Sequence, residues 1–302
     1  MALMDLAALE IFKAVVDEGG INRAAARLHR VPSNVTTRVK ILEQQLGAAL
    51  FVRVGRRLAL TAEGKLLVDY ANQLLRLSAE ARAALHDGGP RGTLRIGSLE
   101  STAAARLPRY LARYHALYPE VRIELVTGTS GALVSSLQAK EVEAAFVAEP
   151  FNNPGFETQL VFREEIVLIT PKSEGRVRSA KDIGNVTMIA FANGCSYRKR
   201  LETWLASAKI HADRVMEFQS YHAIIACVAA GTGFAVVPRS VLSLTTASSD
   251  VKVIPLPSAV AHAKTHLIWR ASHHSVALQA LKALFAASLA PAKTRGKELR
   301  PS

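Results

Sequence analysis

Only two of the 302 residues are cysteines, Cys195 and Cys227. Two thiols cannot build the disulfide framework of a small secreted scaffold. The chain must therefore be held together by buried apolar surface, and 49% hydrophobic residues suffice for two or three domains. No apolar run approaches the ~20 residues that span a bilayer. The opening MALMDLAALEIF has no basic segment before its apolar part and carries Asp5 and Glu10, which makes it a poor export signal. A cytoplasmic protein with no membrane partner is expected. Acids are also scarce, at 25 Asp and Glu against 38 Lys and Arg, and the resulting net charge of +13 favours an anionic partner. Catalytic signatures are missing too: no G-x-S-x-G, C-x-x-C, H-E-x-x-H or glycine-rich phosphate loop occurs. His273-His274 has no evident third ligand, so neither metal nor cofactor is expected.

What is present is organised around residues 21–47, INRAAARLHRVPSNVTTRVKILEQQLG. Ala24, Ala25 and Leu28 give one short helix a small apolar face. Val35, Val39, Leu42 and Leu46 recur on one stripe of a second, and Pro32 suits its first turn. Gly20 or Asn22 is positioned to cap the first helix. Opposite the stripe of the second lie Ser33, Thr37, Lys40 and Gln44, with Asn34, Thr36 and Arg38 on the flanks and no acid before Glu43. That face of hydroxyls, amides and cations suits a DNA major groove. A helix over 3–16 precedes the pair. Two β-type runs follow it around Gly55-Arg56-Arg57, the expected tip of a basic wing. Arg23, Arg30, Arg53, Arg56 and Arg57 join Ser33, Asn34, Thr36, Thr37, Arg38 and Lys40 as candidate DNA contacts. Residues 1–62 hold nine cations and five acids, and four of those acids precede the proposed binding elements.

A helix over 63–87 carries Leu67, Tyr70, Leu74, Leu77, Ala81 and Ala84 in an a/d pattern, read as a dimer seam. The glycine- and proline-rich 88–92 is a hinge. From Thr93 strands alternate with helices of about ten residues, the pattern of parallel βαβ units. Two subdomains are expected, one over about 93–160 and 269–290, the other over about 161–268, before a basic, disordered tail at 291–302.

The string AAARLHRVPSNVTTRVKILEQQLGAALFVRVGRRLALTAEGKLLV, Ala24 to Val68, resembles the signature of the LysR family of bacterial transcription regulators. It contains a winged helix-turn-helix, then Leu-Gly…Leu-Phe…Arg, then Leu-Thr-x-x-Gly. The resemblance implies a mainly α winged helix-turn-helix domain, a long linker helix, and an α/β effector domain of two subdomains like a periplasmic binding protein. It also implies a homodimer, paired into a homotetramer, on double-stranded promoter DNA, with RNA polymerase as partner if it activates. The chain departs from the family where Val31-Pro32-Ser33 stands for the common Ser-Gln-Pro and Thr36-Thr37 for a polar pair including Arg.

The family places a small effector in the cleft between its subdomains. Ligands of open α/β sheets also lie beyond the carboxyl ends of the strands. Those ends give Ser98, Glu100, Ser101, Thr102, Thr127, Thr129, Ala148, Gly194, Cys195, Ser196, Tyr197, Arg198, Tyr221 and His222. Arg198 is the expected partner of a carboxylate on a small polar effector. Cys195, at a helix start with Arg198 and Lys199 nearby, also admits a redox-sensing reading through a depressed thiol pKa. The remaining alternative is a solute-binding protein or enzyme with an incidental basic N-terminal domain.

Overall fold

The computed structural model describes residues 4–55, 57–84, 89–152, 155–175, 177–183 and 187–289, and its chain divides into two compact units, Met1–Asp87 and Gly88–Ser302. The expected tail at 291–302 lies outside the described residues.

In the first unit α1 (Leu6–Glu18) starts at Asp5, whose carboxylate accepts the Ala7 amide at 3.0 Å. It ends where Gly19 turns left-handed at φ +65. Gly20 stands at the start of α2 (Ile21–Arg27), and Pro32 occupies the first turn of α3 (Pro32–Leu46). The strands β1 (Phe51–Val54) and β2 (Arg57–Leu60) pair antiparallel with Val54 opposite Arg57, so the turn is two residues rather than the expected three. The hairpin returns the chain to α4 (Ala62–Ala84). Leu9, Phe12, Leu42 and Leu50 bury one part of the core, while Ile11, Val15, Ala24, Ala25, Val35 and Val39 bury the other. Leu46, expected on the buried stripe, is 39% exposed, because α3 outruns the helices it packs on by one turn.

Two side chains tie the hairpin to the helices. Glu43 accepts the amides of Leu50 at 2.8 Å and Phe51 at 3.3 Å. Thr61 donates to the Ala49 carbonyl at 2.7 Å and accepts the Gly64 amide at 2.9 Å. This draws α4 so close that a Cβ on Gly64 would lie 2.2 Å from the Leu50 carbonyl oxygen.

The second unit is a nine-stranded mixed sheet, ordered β4-β3-β5-β11-β6-β9-β7-β8 with β10 also paired to β6. Its elements run β3 (Gly92–Ser98), α5 (Glu100–Ala105), α6 (Pro108–Leu117), β4 (Val121–Thr127), α7 (Ser130–Gln138), β5 (Ala144–Ala148) and β6 (Phe156–Pro171). Then follow β7 (Thr187–Ala190), α8 (Ser196–Ser207), β8 (Val215–Glu217), α9 (Tyr221–Ala229), β9 (Gly233–Pro238), α10 (Arg239–Leu242), β10 (Val251–Pro255), α11 (Ser258–Ala261), β11 (His262–Arg270) and α12 (Val276–Leu289). The βα repeats are parallel, β3 with β4 and β5, and β7 with β8 and β9. The strands joining the two sets are antiparallel: β11 pairs β5 and β6, and β6 continues on to β9 and β10.

Several expectations change here. The strand expected from Glu164 begins at Phe156, because the polar Glu157, Thr158 and Gln159 continue the β11 ladder. The subdomain limits expected near 160 and 268 therefore fall inside β6 and β11, two strands that run through both halves. The hinge reading of 88–92 overlaps β3, which Gly92 already opens. The short α5 carries Ser101 and Thr102, which were read as loop residues.

Away from the cleft, Glu143 is buried, accepts the Arg95 amide at 3.1 Å and lies 2.9 Å from His273 Nε2. His273 is thus part of a buried pair with Glu143. Burial alone would raise the Glu143 carboxyl, but the bonds from His273 and the Arg95 amide hold it below its ordinary value of 4.5. A depressed carboxylate contributes stability above the unfolded value, which is lost as pH falls through the folded one. Thermal melts of the wild type should therefore lose midpoint between about pH 5 and pH 3, with a shallower loss in Glu143→Gln. For the first unit, Gly64→Ala should cost about 1–3 kcal/mol in urea denaturation, because its clash is with backbone that cannot move aside.

Candidate DNA-reading head and effector cleft

Across the exposed side of α3, Ser33, Asn34, Thr37, Arg38 and Lys40 are open to solvent, and Arg53 is exposed on β1. Among the described residues Arg38, Lys40 and Arg53 have no acidic partner. Others of the expected set are partly committed within the chain. Thr36 is half-buried and donates to the Pro32 carbonyl at 2.9 Å. Arg30 donates to Asn34 at 3.3 Å, and Arg23 to the Gly19 carbonyl at 3.2 Å. Arg57 opens β2, and Arg56 lies outside the described residues. Val31, at the N-cap, supplies no side-chain bond to the first amides of α3, and it is 63% exposed with Pro32 and Ser33 exposed beside it. Pro32 has no N–H and the Asn34 amide donates to the Val31 carbonyl at 3.0 Å, so of the first three residues of α3 Ser33 keeps its amide for an outside partner.

On α4 the proposed seam splits. Leu67 is 8% exposed and packs with Leu9, Phe12, Leu42 and Ala71 in its own unit, so its place in the repeat reflects that core and not a seam. Tyr70 and Leu77 are 56% and 62% exposed, Leu74 and Ala81 are exposed as well, and Leu66 extends the same stripe.

In the second unit the starts of α5, α7, α8 and α9 surround one small recess of about 260 Å³. Glu100, Ser101, Thr129, Ala148, Cys195, Ser196, Tyr197 and Tyr221 from the expected set line it, with Leu99, Gly128 and Phe191. The two halves meet tightly there. The Gly131 amide donates to the Gly194 carbonyl at 3.1 Å. A Cβ on Gly131 would meet Gly194 Cα at 3.3 Å, and Gly194 itself sits at φ +90. Ser196 Oγ lies 2.6 Å from the Ala148 carbonyl and 2.9 Å from Ser130 Oγ. Ser130, which sequence reading passed over in favour of Thr129, also accepts the Ala148 amide at 3.1 Å. Its signal was its position as first residue of α7, where a free amide and a neighbouring strand end both seek partners.

Two of the four helix starts at the recess, those of α7 and α9, are met by side chains of the chain itself. Thr129 accepts the Ala132 amide at 3.3 Å, and Glu100 Oε1 accepts the Tyr221 amide at 3.4 Å. Cys195, at the N-cap of α8, makes no capping hydrogen bond, though the amides of Tyr197 and Arg198 lie near its thiol. Burial pushes that thiol up, outweighing those amides and Arg198, which reverses the depressed pKa expected for a redox sensor. Burial also raises Glu100, against the lowering effects of the Tyr221 amide and His222, and it raises the hydroxyls of Tyr197 and Tyr221. Glu100 Oε2 is buried without a hydrogen-bond partner, and Ser101 Oγ lies near the hydroxyls of Tyr197 and Tyr221 without a hydrogen bond of good geometry.

The rest of the expected set falls elsewhere. Arg198 is 9% exposed and committed to Glu202 at 2.7 Å, Glu217 at 2.5 Å and the Phe191 carbonyl at 3.1 Å, so it does not wait for a carboxylate. Ser98 is buried and donates to the Leu99 carbonyl. Thr102 is buried, Thr127 is exposed at the end of β4, and neither lines the recess. Gly194 supports the recess from behind. His222 lines a neighbouring hollow with Glu100 and Tyr221.

Ser196→Ala removes a hydroxyl that bridges three groups, so it should cost about 1–2 kcal/mol in chemical denaturation. Ser101→Ala removes a buried hydroxyl with no partner and should leave stability unchanged or slightly raised. Equal losses for both would mean that the Ser101 hydroxyl is held by the fold.

Comparison with known proteins agrees with this division of labour. The family described as "Bacterial regulatory helix-turn-helix protein, lysR family" matches residues 6–65, and the "LysR substrate binding domain" matches residues 87–290. The uncharacterized HTH-type transcriptional regulator YusT of Bacillus subtilis is 38% identical over 88% of this chain and 90% of its own length. The regulator GltR of the same organism is 39% identical over 80% of this chain and 81% of its own. Among solved structures, full-length CbnR complexed with its target DNA shares the fold at a TM-score of 0.70 and 23% identity, covering 94% of this chain and 100% of that one. A full-length OxyR variant from Pseudomonas aeruginosa does so at 0.67 and 21%, covering 95% of each. A DNA-reading head followed by a ligand-cleft domain, matched over nearly the whole chain, makes this protein a member of the LysR family of bacterial transcription regulators.

Proposed function

We propose that this regulator reads promoter DNA through the open face of α3 and the β1–β2 wing, works in the cytoplasm, and responds to a small molecule in the recess lined by Ser101, Tyr197 and Tyr221. The observation that carries the DNA reading is the unpaired, solvent-facing set of Arg38, Lys40 and Arg53 beside the exposed Ser33, Asn34 and Thr37. Cations without acidic partners release counterions when they meet phosphates, while neutral hydroxyls and amides reach base edges. The Ser33 amide at the start of α3 suits a phosphate oxygen. CbnR, a fold neighbour, was solved on its target DNA. Since Pro32 and Thr37 stand at the usual base-reading positions, phosphate contacts carry a larger share of affinity here than the family pattern implies.

The exposed stripe of Leu66, Tyr70, Leu74, Leu77 and Ala81 on α4 fits a second copy of the same helix, giving the dimer and, through pairing of dimers, the tetramer that the family pattern implies. Ligand binding in the cleft shifts the population of arrangements of these copies on DNA, and promoter activity follows without covalent chemistry. The curated relatives are regulators rather than enzymes.

Fluorescence anisotropy with the chain's own upstream DNA tests the reading. Lys40→Ala should weaken binding alike for specific and random duplexes and lower the slope of log affinity against log salt by about 1. Asn34→Ala should weaken the specific duplex more. Leu77→Glu should lower the mass seen by sedimentation and weaken the two-fold site with it. Affinity insensitive to salt would overturn the proposal.

A further inference from the structure

The recess holds no group that would neutralise an anion. Among the described residues its lining contains no Lys, Arg or His. The cation expected there, Arg198, is spent on Glu202 and Glu217. Of the helix starts around the recess, α7 has Thr129 on the Ala132 amide and α9 has Glu100 on the Tyr221 amide, while the uncapped start of α5 carries the Glu100 carboxylate itself in its first turn. The only carboxylate in the lining is Glu100, and one of its oxygens is buried with nothing donating to it. Ser101 Oγ and Tyr197 OH are buried near it, close to each other but without a well-formed hydrogen bond. Unpartnered buried polar atoms are costly, and a ligand that completes them recovers that cost. The remaining walls, Leu99, Ala148, Phe191 and the Tyr221 ring, are apolar.

From this arrangement, which rests on reading the recess as the effector site, we infer that the effector is a small molecule with an apolar body and no anionic group, and that it presents a hydrogen-bond donor to Glu100. An ammonium, amide or hydroxyl meets Glu100 Oε2, and the same polar end accepts from or donates to Ser101 and Tyr197. A carboxylate would enter a site whose own acid is held toward its neutral form by burial, and it would find no counter-charge to repay its lost hydration.

Two series, each differing only in headgroup, test the inference on the full-length chain by titration calorimetry. They are benzoate, benzamide, benzylamine and benzyl alcohol, and butyrate, butyramide, butylamine and butanol. The expected result is binding by the amine, amide or alcohol of at least one series, with its carboxylate at least about tenfold weaker. Glu100→Gln keeps an acceptor for the Tyr221 amide. It should weaken the amine about tenfold while changing the alcohol little. Ser101→Ala, which keeps the fold, should weaken every bound member. A carboxylate bound most tightly, with its binding lost in Ser101→Ala, would overturn the ligand class and leave the recess as the effector site. Binding untouched by both substitutions, or none at all, would overturn the class and the site together.

Discussion

Amides at a helix start need partners once water is excluded, and the identity of the partner separates the two working ends of this chain. Where a buried or half-buried helix begins, the chain supplies the partner itself: Asp5 for α1, Thr61 for α4, Thr129 for α7, Glu100 for α9. At the α3 start an exposed apolar residue, Val31, stands at the cap and contributes no side-chain bond.

The cleft domain depends on close approach as much as on polarity. Two glycines, Gly131 and Gly194, let the halves of the sheet touch, and Ser130 and Ser196 lock that contact onto Ala148. Glu164 and Thr265, buried on the two strands that run through both halves, lie at the same junction. Arg106 reaches Glu164 at 2.6 Å and Ser240 reaches it at 3.0 Å, from opposite sides.

Much of the head was legible in residue order. The spacing of Val35, Val39 and Leu42 and the small faces of Ala24 and Ala25 depend only on helical geometry, so they place the helix pair and its free face without tertiary knowledge. Leu67 was misassigned because an a/d repeat marks only that a stripe is apolar. Whether the stripe meets its own domain or another chain depends on what α1 brings opposite it. Leu46 was misassigned because periodicity does not say where the neighbouring helices stop.

The sequence by itself determined the order of domains, the alternation of strands and helices, and which strand ends could gather around a cleft, because each follows from local period and composition. Only the tertiary structure decided which gathered groups were free. Arg198 and Cys195 read as a binding cation and a reactive thiol until Glu217, from a distant strand, and the burial of the helix start were seen. Ser101 and Tyr197 stood as two of fourteen cleft candidates alike, and their burial beside Glu100 is what sets them apart. Availability for a ligand is what remains after long-range neighbours have taken their share of charge and hydrogen bonds, and those neighbours are set by packing rather than by position in the chain.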